Sequence, residues 1–149
     1  CETTDCSYSK AEQRRTIFSL ISEQKSEDIH RTVEITNPEP VRFAFESTAF
    51  MTLSEKQTID EIVSSMMSDK TLKIKIIGHT DAIGPSQYNY ELSRQRAEKI
   101  KKMIVKLGIS ENRIQIIPKG ETQPLNNCAN ENCSIEQHRL NRRVEFEYY

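Results

Sequence analysis

The chain has 149 residues, long enough for one domain with a real core and too short for two comfortable ones. A formal net charge of −1 removes the positive field that a sequence-independent nucleic-acid or anionic-lipid binder needs, so no nucleic-acid partner is expected. With 36 % hydrophobic and 29 % charged residues it reads as a well-solvated globular protein, and no apolar run approaches the roughly 20 residues of a bilayer span.

Residues 1–38 read as an N-terminal extension and residues 39–149 as the main domain. The spacing of Ile17, Phe18, Leu20 and Ile21 predicts an amphipathic helix from Ser9 to about Lys25. A short strand follows at Thr32–Thr36, and Asn37-Pro38-Glu39-Pro40 stops it. Val41–Phe45 alternates as a half-buried strand. Ser54, with Gln57 three residues on, suggests a capping box, and Ile59, Ile62, Val63 and Met66 supply a helical apolar face. Leu72–Ile77 is the next strand, ending at Gly78, and Gly78 and Gly84 are read as turning points of the loop that follows. Pro85 suits the start of a long helix, Ser86–Leu107, closed by Gly108. Arg113–Ile117 is a strand, Pro118–Arg139 is loop-rich, and Arg142–Tyr149 is the last strand. The order is β-α-β-α-β-β, an α/β (α+β) sandwich with a mixed sheet and helices on one face. No signal-peptide pattern stands at the N-terminus, so a mature chain or an excised piece is expected.

The four cysteines fall in two local pairs. Cys128 and Cys133 flank a polar, Asn-rich segment. Free thiols would be out of place there, and a metal site would need further ligands, for which His138 is the nearby candidate. A disulfide closing the loop is favoured over both, and it implies an oxidising compartment. Cys1 either pairs with Cys6 or is the lipidated first residue of a lipoprotein; the sequence allows both.

The candidate chemistry lies between Gly78 and Arg96. The strand ending at Ile77 delivers Gly78-His79-Thr80-Asp81 to the mouth of the fold, off a strand's carboxyl end, where ligands of α/β proteins commonly bind. On the following helix, Leu92, Ile100, Met103, Ile104 and Leu107 mark the buried stripe. Arg96 falls on that stripe, four residues from both Leu92 and Ile100, and Asn89 lies on it one turn closer to the loop; Arg94 projects elsewhere. A cation on an apolar face is costly unless paired. Either Arg96 makes a structural salt bridge, to Asp81 or another carboxylate, or Asp81 and Arg96 stand apart to clasp a zwitterion, Asp taking the ammonium and Arg the carboxylate. Arg142 shares parity with Val144, Phe146 and Tyr148 on the inward face of the last strand, whereas Arg143, Glu145 and Glu147 face out.

Gly78-His79-Thr80-Asp81, Gly84, Tyr88-Asn89, Leu92-Ser93, Arg96-Ala97 and Asn141-Arg142-Arg143-Val144 together resemble the signature of the OmpA-like C-terminal domain, over about residues 41–149. That family includes porin tails, peptidoglycan-associated lipoproteins and flagellar stator proteins. The resemblance implies non-covalent binding of the peptidoglycan stem peptide through diaminopimelate, without hydrolysis and without a cofactor. It puts the two main ligand-binding residues at Asp81 and Arg96, with Asn89, Leu92, Thr80, Phe45 and Arg142 bordering the site. It also implies a periplasmic, outer-membrane-associated location, with outer-membrane proteins as further partners and the membrane reached only through a lipid anchor or a segment outside this chain. Gln137-His138-Arg139 stands where the family commonly has Gly-Arg-Ala, and the cysteine-bearing loop is similar to that of Bacteroidetes members.

Two rival classes remain open. An enzyme would use His79 and Asp81, but no complete catalytic set or nucleophile elbow accompanies them, so no catalytic residue is assigned. His79 is read instead as a hydrogen-bonded residue ordering its loop. A protein-interaction or oligomerisation module of an envelope complex would dock through the apolar 17–21 cluster, which otherwise covers its own domain.

Overall fold

The computed structural model describes residues 35–49, 53–128 and 132–149. The chain divides into two units, Cys1–Glu34 and Ile35–Tyr149, and the second carries the fold below. The helix expected over 9–25, Cys1, Cys6 and the first part of the strand expected at 32–36 lie outside the described residues. Ile35 and Thr36 are described and belong to no strand; Ile35 is exposed. Asn37 lies close to Tyr148, whose backbone N–H donates to its Oδ1 at 3.0 Å.

The elements are β1 (Val41–Arg42), α1 (Leu53–Ser68), β2 (Ile74–His79), α2 (Ser86–Lys106), β3 (Ile114–Gly120), α3 (Ile135–Asn141) and β4 (Arg143–Tyr148), with a 3-10 turn at Glu111–Arg113. The sheet runs β1-β4-β2-β3. β4 is antiparallel to both neighbours and β2 is parallel to β3. This is the mixed sheet expected, with α1 and α2 touching each other as well as strands, so that both occupy one face. The order gains a third helix, β-α-β-α-β-α-β. It begins inside the loop-rich span expected at 118–139 and runs on to Asn141. A capping box sets it: Ser134 Oγ accepts from the Gln137 N–H while Gln137 Oε1 accepts from the Ser134 N–H.

Alternation builds the core. Ile74 and Ile76 of β2 and Val144 and Phe146 of β4 are buried beneath Ile59, Ile62 and Met66 of α1 and Ala97, Ile100 and Ile104 of α2. The opposite face carries Lys75 and Glu147, cross-strand partners joined at 2.8 Å. β3 continues through Pro118 to Gly120, past the end expected at Ile117, because it is an edge strand and its outer side needs no N–H donor there. Arg113 ties the end of α1 to the sheet: its guanidinium donates to the carbonyls of Met66, Asp69 and Leu72 at 2.6–2.9 Å. α1 has no basic residue in its own last turn, so this distant arginine satisfies carbonyls that the helix leaves open.

The glycines at the mouth of the fold have different duties. Gly84, at φ 91°, is a true turning point. Gly78 is not. A Cβ there would lie 2.2 Å from the Ser93 carbonyl oxygen, so its role is to let α2 press against β2. Ser93 completes the junction by accepting from the Gly120 N–H at 3.0 Å. Gly78→Ala should therefore destabilise the domain by about 1–3 kcal/mol, the usual cost of overpacking. Urea unfolding measures this, and a midpoint equal to that of the wild type would contradict the close approach.

Candidate functional site

The strand expected over Val41–Phe45 stops at Arg42, with one further bridge at Phe43. The reason is Arg96. Among the described residues this side chain is the largest of those fully buried, and the backbone after Phe43 bends over it. Its Nε donates to Ser47 O at 3.0 Å, Nη2 to Ala44 O at 3.1 Å and Nη1 to His79 O at 3.2 Å. The Phe43 ring faces its Cζ at 5.2 Å. The bend contains Glu46 at φ 45° and leaves Phe45 about half exposed. Burial pulls the Arg96 pKa down to about 10, against the favourable charge of Asp81, and nearby Arg142 lowers it further. The side chain stays charged at neutral pH.

Asp81 leaves the C-terminal end of β2 almost fully buried. Its Oδ2 accepts from Arg142 Nη1 at 2.9 Å, and Oδ1 accepts from the Ile83 N–H at 3.3 Å. Arg142 also donates from Nε to Phe43 O at 3.4 Å and stands 5.9 Å from the Phe45 ring. The structural salt bridge considered for Arg96 is thus made by Arg142 instead; Arg96 is held by carbonyls. Two guanidiniums and one carboxylate converge where β2 ends, the 43–47 turn bends and β4 begins, a local excess of one positive charge.

The other expected site residues join this centre less directly. Thr80 is buried, with Oγ1 donating to Asp81 O at 2.9 Å and its N–H to Gly120 O at 2.8 Å. Asn89 is buried and gives its amide to Glu121, a carboxylate the sequence reading did not single out. Leu92 is buried on the stripe that also carries Arg96. On the far face of the sheet, Arg143 does not face solvent as its parity suggested. It is nearly buried, donating to Glu145 at 2.6 Å and to Gln123 O at 3.2 Å, because the segment after β3 roofs that end of β4. His79 shares this pocket; its Nε2 lies 3.5 Å from Glu145 Oε2, and neither ring nitrogen has a closer partner. Among the described residues Glu145 is thus the nearest partner of the ring, at the outer limit of hydrogen-bond distance, and the backbone carbonyl of His79 is held by Arg96.

The class that fold and site define is a small helix-on-sheet domain with two arginines and an aspartate buried together at its strand mouth. Residues 42–138 match the OmpA family, and the chain belongs to it. It is 34 % identical over 87 residues to outer membrane porin F of Pseudomonas fluorescens, covering 58 % of this chain and 26 % of the porin. It is 34 % identical over 76 residues to the peptidoglycan-associated lipoprotein of Legionella pneumophila, covering 51 % of this chain and 41 % of the lipoprotein. The chain therefore spans less than half the length of either relative. Among solved structures, the C-terminal domain of Helicobacter pylori MotB superposes with a TM-score of 0.64 at 26 % identity, covering 74 % of this chain and 84 % of that one. The peptidoglycan-associated lipoprotein of Burkholderia pseudomallei shares the fold with a TM-score of 0.67 at 24 % identity, over 74 % of this chain and 89 % of that one. These two curated relatives are outer-membrane envelope proteins, and membership of the OmpA family puts this chain in the outer-membrane-associated periplasm.

Burial, reinforced by the charge of Arg143 and opposed by Glu145, pushes the His79 pKa down from 6.5 to about 4. The unfolded chain takes up this proton near 6.5 and the folded chain resists it, so stability falls as pH drops from 6.5 toward 4 and is unaffected above 6.5. His79→Gln should flatten that slope, compared by urea midpoints at about pH 7 and about pH 4.5. A slope equal to that of the wild type would show that His79 titrates normally.

Proposed function

We propose that this domain binds peptidoglycan non-covalently, through the diaminopimelate of an uncrosslinked stem peptide, and so ties an envelope protein to the cell wall. The observation that carries this reading is the trio Arg96, Asp81 and Arg142, buried together at the mouth of β2. The free end of diaminopimelate bears an ammonium and a carboxylate on one carbon. Asp81 has a fixed carboxylate for the ammonium, and its ion pair with Arg142 sets its orientation before the ligand arrives. The Arg96 guanidinium has more N–H groups than its carbonyl bonds use, and a ligand carboxylate exchanges a neutral acceptor for a charged one. Arg142 is placed for a second carboxylate of the wall peptide. Thr80, Asn89, Leu92 and Phe45 border the site, with Phe45 offering an exposed ring at its rim. The turn over Arg96 is the part that must give way, because it supplies two of the carbonyls that cover the guanidinium.

Two relatives' names support the same reading: one is a peptidoglycan-associated lipoprotein and the other an outer membrane porin. Among the described residues Asp81 is committed to Arg142 and His79 is held neutral under a roof, which suits holding a wall peptide and not cleaving one.

Purified protein should co-sediment with insoluble peptidoglycan, releasing no soluble fragments. Asp81→Ala should weaken pelleting by about thirtyfold or more, the loss of about 2 kcal/mol expected for removing one partner of a buried charge pair. Arg96→Lys, which keeps the charge but loses the fork, should weaken it comparably. Both variants should keep the wild-type far-UV circular dichroism. Undiminished pelleting by the folded variants would reject the mechanism. Added salt should weaken binding of free diaminopimelate in calorimetry, since the contacts are ionic; salt-independent binding would make the charges structural only.

A further inference from the structure

A second cluster of reactive side chains lies away from this cleft, between β3 and α3. Cys128, Cys133 and His138 bring two sulfurs and an imidazole nitrogen within 4.8 Å of one another. Cys128 and Cys133 are joined in the expected disulfide, with the Cα atoms 5.6 Å apart. Cys128 and His138 are both buried, and the Cys128 Sγ lies 3.7 Å from His138 Nδ1. A buried imidazole gains little from facing a disulfide, because sulfur is a weak acceptor. Two thiolates and an imidazole are, however, the donor set that a thiophilic cation takes.

We propose that the dithiol form of this loop binds one zinc-type cation through Cys128, Cys133 and His138, so that disulfide and metal are alternative states of a single site. A dithiol reductant supplies two electrons and two protons, its own sulfurs joining as a disulfide while the Cys128–Cys133 bond opens to two thiols. The cation then takes both sulfurs as thiolates, releasing two protons to solvent, and accepts the lone pair of His138 Nδ1. Ligand atoms on tetrahedral zinc lie about 3.6–3.8 Å apart, from bond lengths of about 2.3 Å to sulfur and about 2.0–2.1 Å to nitrogen. The Cys128–His138 separation of 3.7 Å already meets this, so only the Cys133 sulfur has to draw away. A fourth position is left for water.

The surroundings hold the donors without help from the sulfur–sulfur bond. Asn126 Oδ1 accepts from the Cys128 N–H at 3.1 Å and from Asn141 Nδ2 at 3.2 Å. Asn141 in turn accepts from the Leu125 N–H at 2.8 Å, anchoring the incoming strand of the loop to α3. The Ser134–Gln137 capping box fixes the helix start between Cys133 and His138. A reduced loop thus keeps its donors near one point, and spacings of four intervening residues separate both Cys128 from Cys133 and Cys133 from His138.

The test uses the full chain with Cys1→Ser and Cys6→Ser, so that only the loop thiols remain. Native mass spectrometry should find one Zn²⁺ per chain after reduction with a water-soluble phosphine and none in the oxidised chain. His138→Ala and Cys133→Ser should each lose the ion while keeping the parent circular dichroism, and bound Zn²⁺ should protect the two thiols from alkylation. A reduced chain that retains no Zn²⁺, folded or unfolded, would overturn the proposal. So would retention undiminished in His138→Ala, which would remove the imidazole from the ligand set.

Discussion

The burial of one guanidinium organises this domain. Arg96 carries a full positive charge to a position with no exposed surface, where an unsatisfied cation would cost several kcal/mol. Three backbone carbonyls from two separate segments meet it. To deliver them, the first strand must stop early, the chain must turn at Glu46 with a left-handed φ, and the end of β2 must point its carbonyl at the helix. The close packing of α2 on β2 at Gly78 and on β3 at Gly120 brings the guanidinium within reach of all three.

The same demand explains the site's charge arrangement. With Arg96 satisfied by carbonyls, Asp81 is left to Arg142, and the second arginine orients the carboxylate without neutralising the first. The result is a preorganised cluster whose partners are neutral backbone on one side and an ion pair on the other. A ligand bearing both charges can replace these partners in kind. On the proposed reading, a ligand with a single charge would leave either the carboxylate or a guanidinium short of a partner, which favours an amino-acid end.

Much of this was legible in the sequence. The 3.6-residue stripe exposed Arg96 as a cation on a core face, and the period-2 alternation of β4 put Arg142 inward. The signature from Gly78 to Arg143 pointed to the family, which residues 42–138 match. Other features lay beyond pattern reading. Periodicity shows that an arginine is buried but not what satisfies it, and a search for carboxylates overlooks carbonyls, so the shortening of the first strand was invisible. Gly78 reads as a turn by composition, whereas its duty is a close approach that only the packed helix reveals. Parity alone points Arg143 to solvent because it ignores a loop that roofs the far face. The short helix α3 was within reach: Ser134 and Gln137 form a capping-box pattern, masked by the Asn-rich stretch before it. Glu121, which takes the amide of Asn89, carried no sequence signal at all.

The proposed binding mode has Asp81 taking the ammonium and Arg96 the carboxylate of one amino-acid end. The most direct measurement is a crystal structure of the domain with a diaminopimelate-containing stem peptide. The account predicts the ammonium at hydrogen-bond distance from the Asp81 carboxylate and the adjoining carboxylate on the Arg96 guanidinium, with the 44–47 turn displaced from its present bonds to that group. A peptide bound elsewhere on the domain, with Arg96 still held by the carbonyls of Ala44, Ser47 and His79, would contradict it.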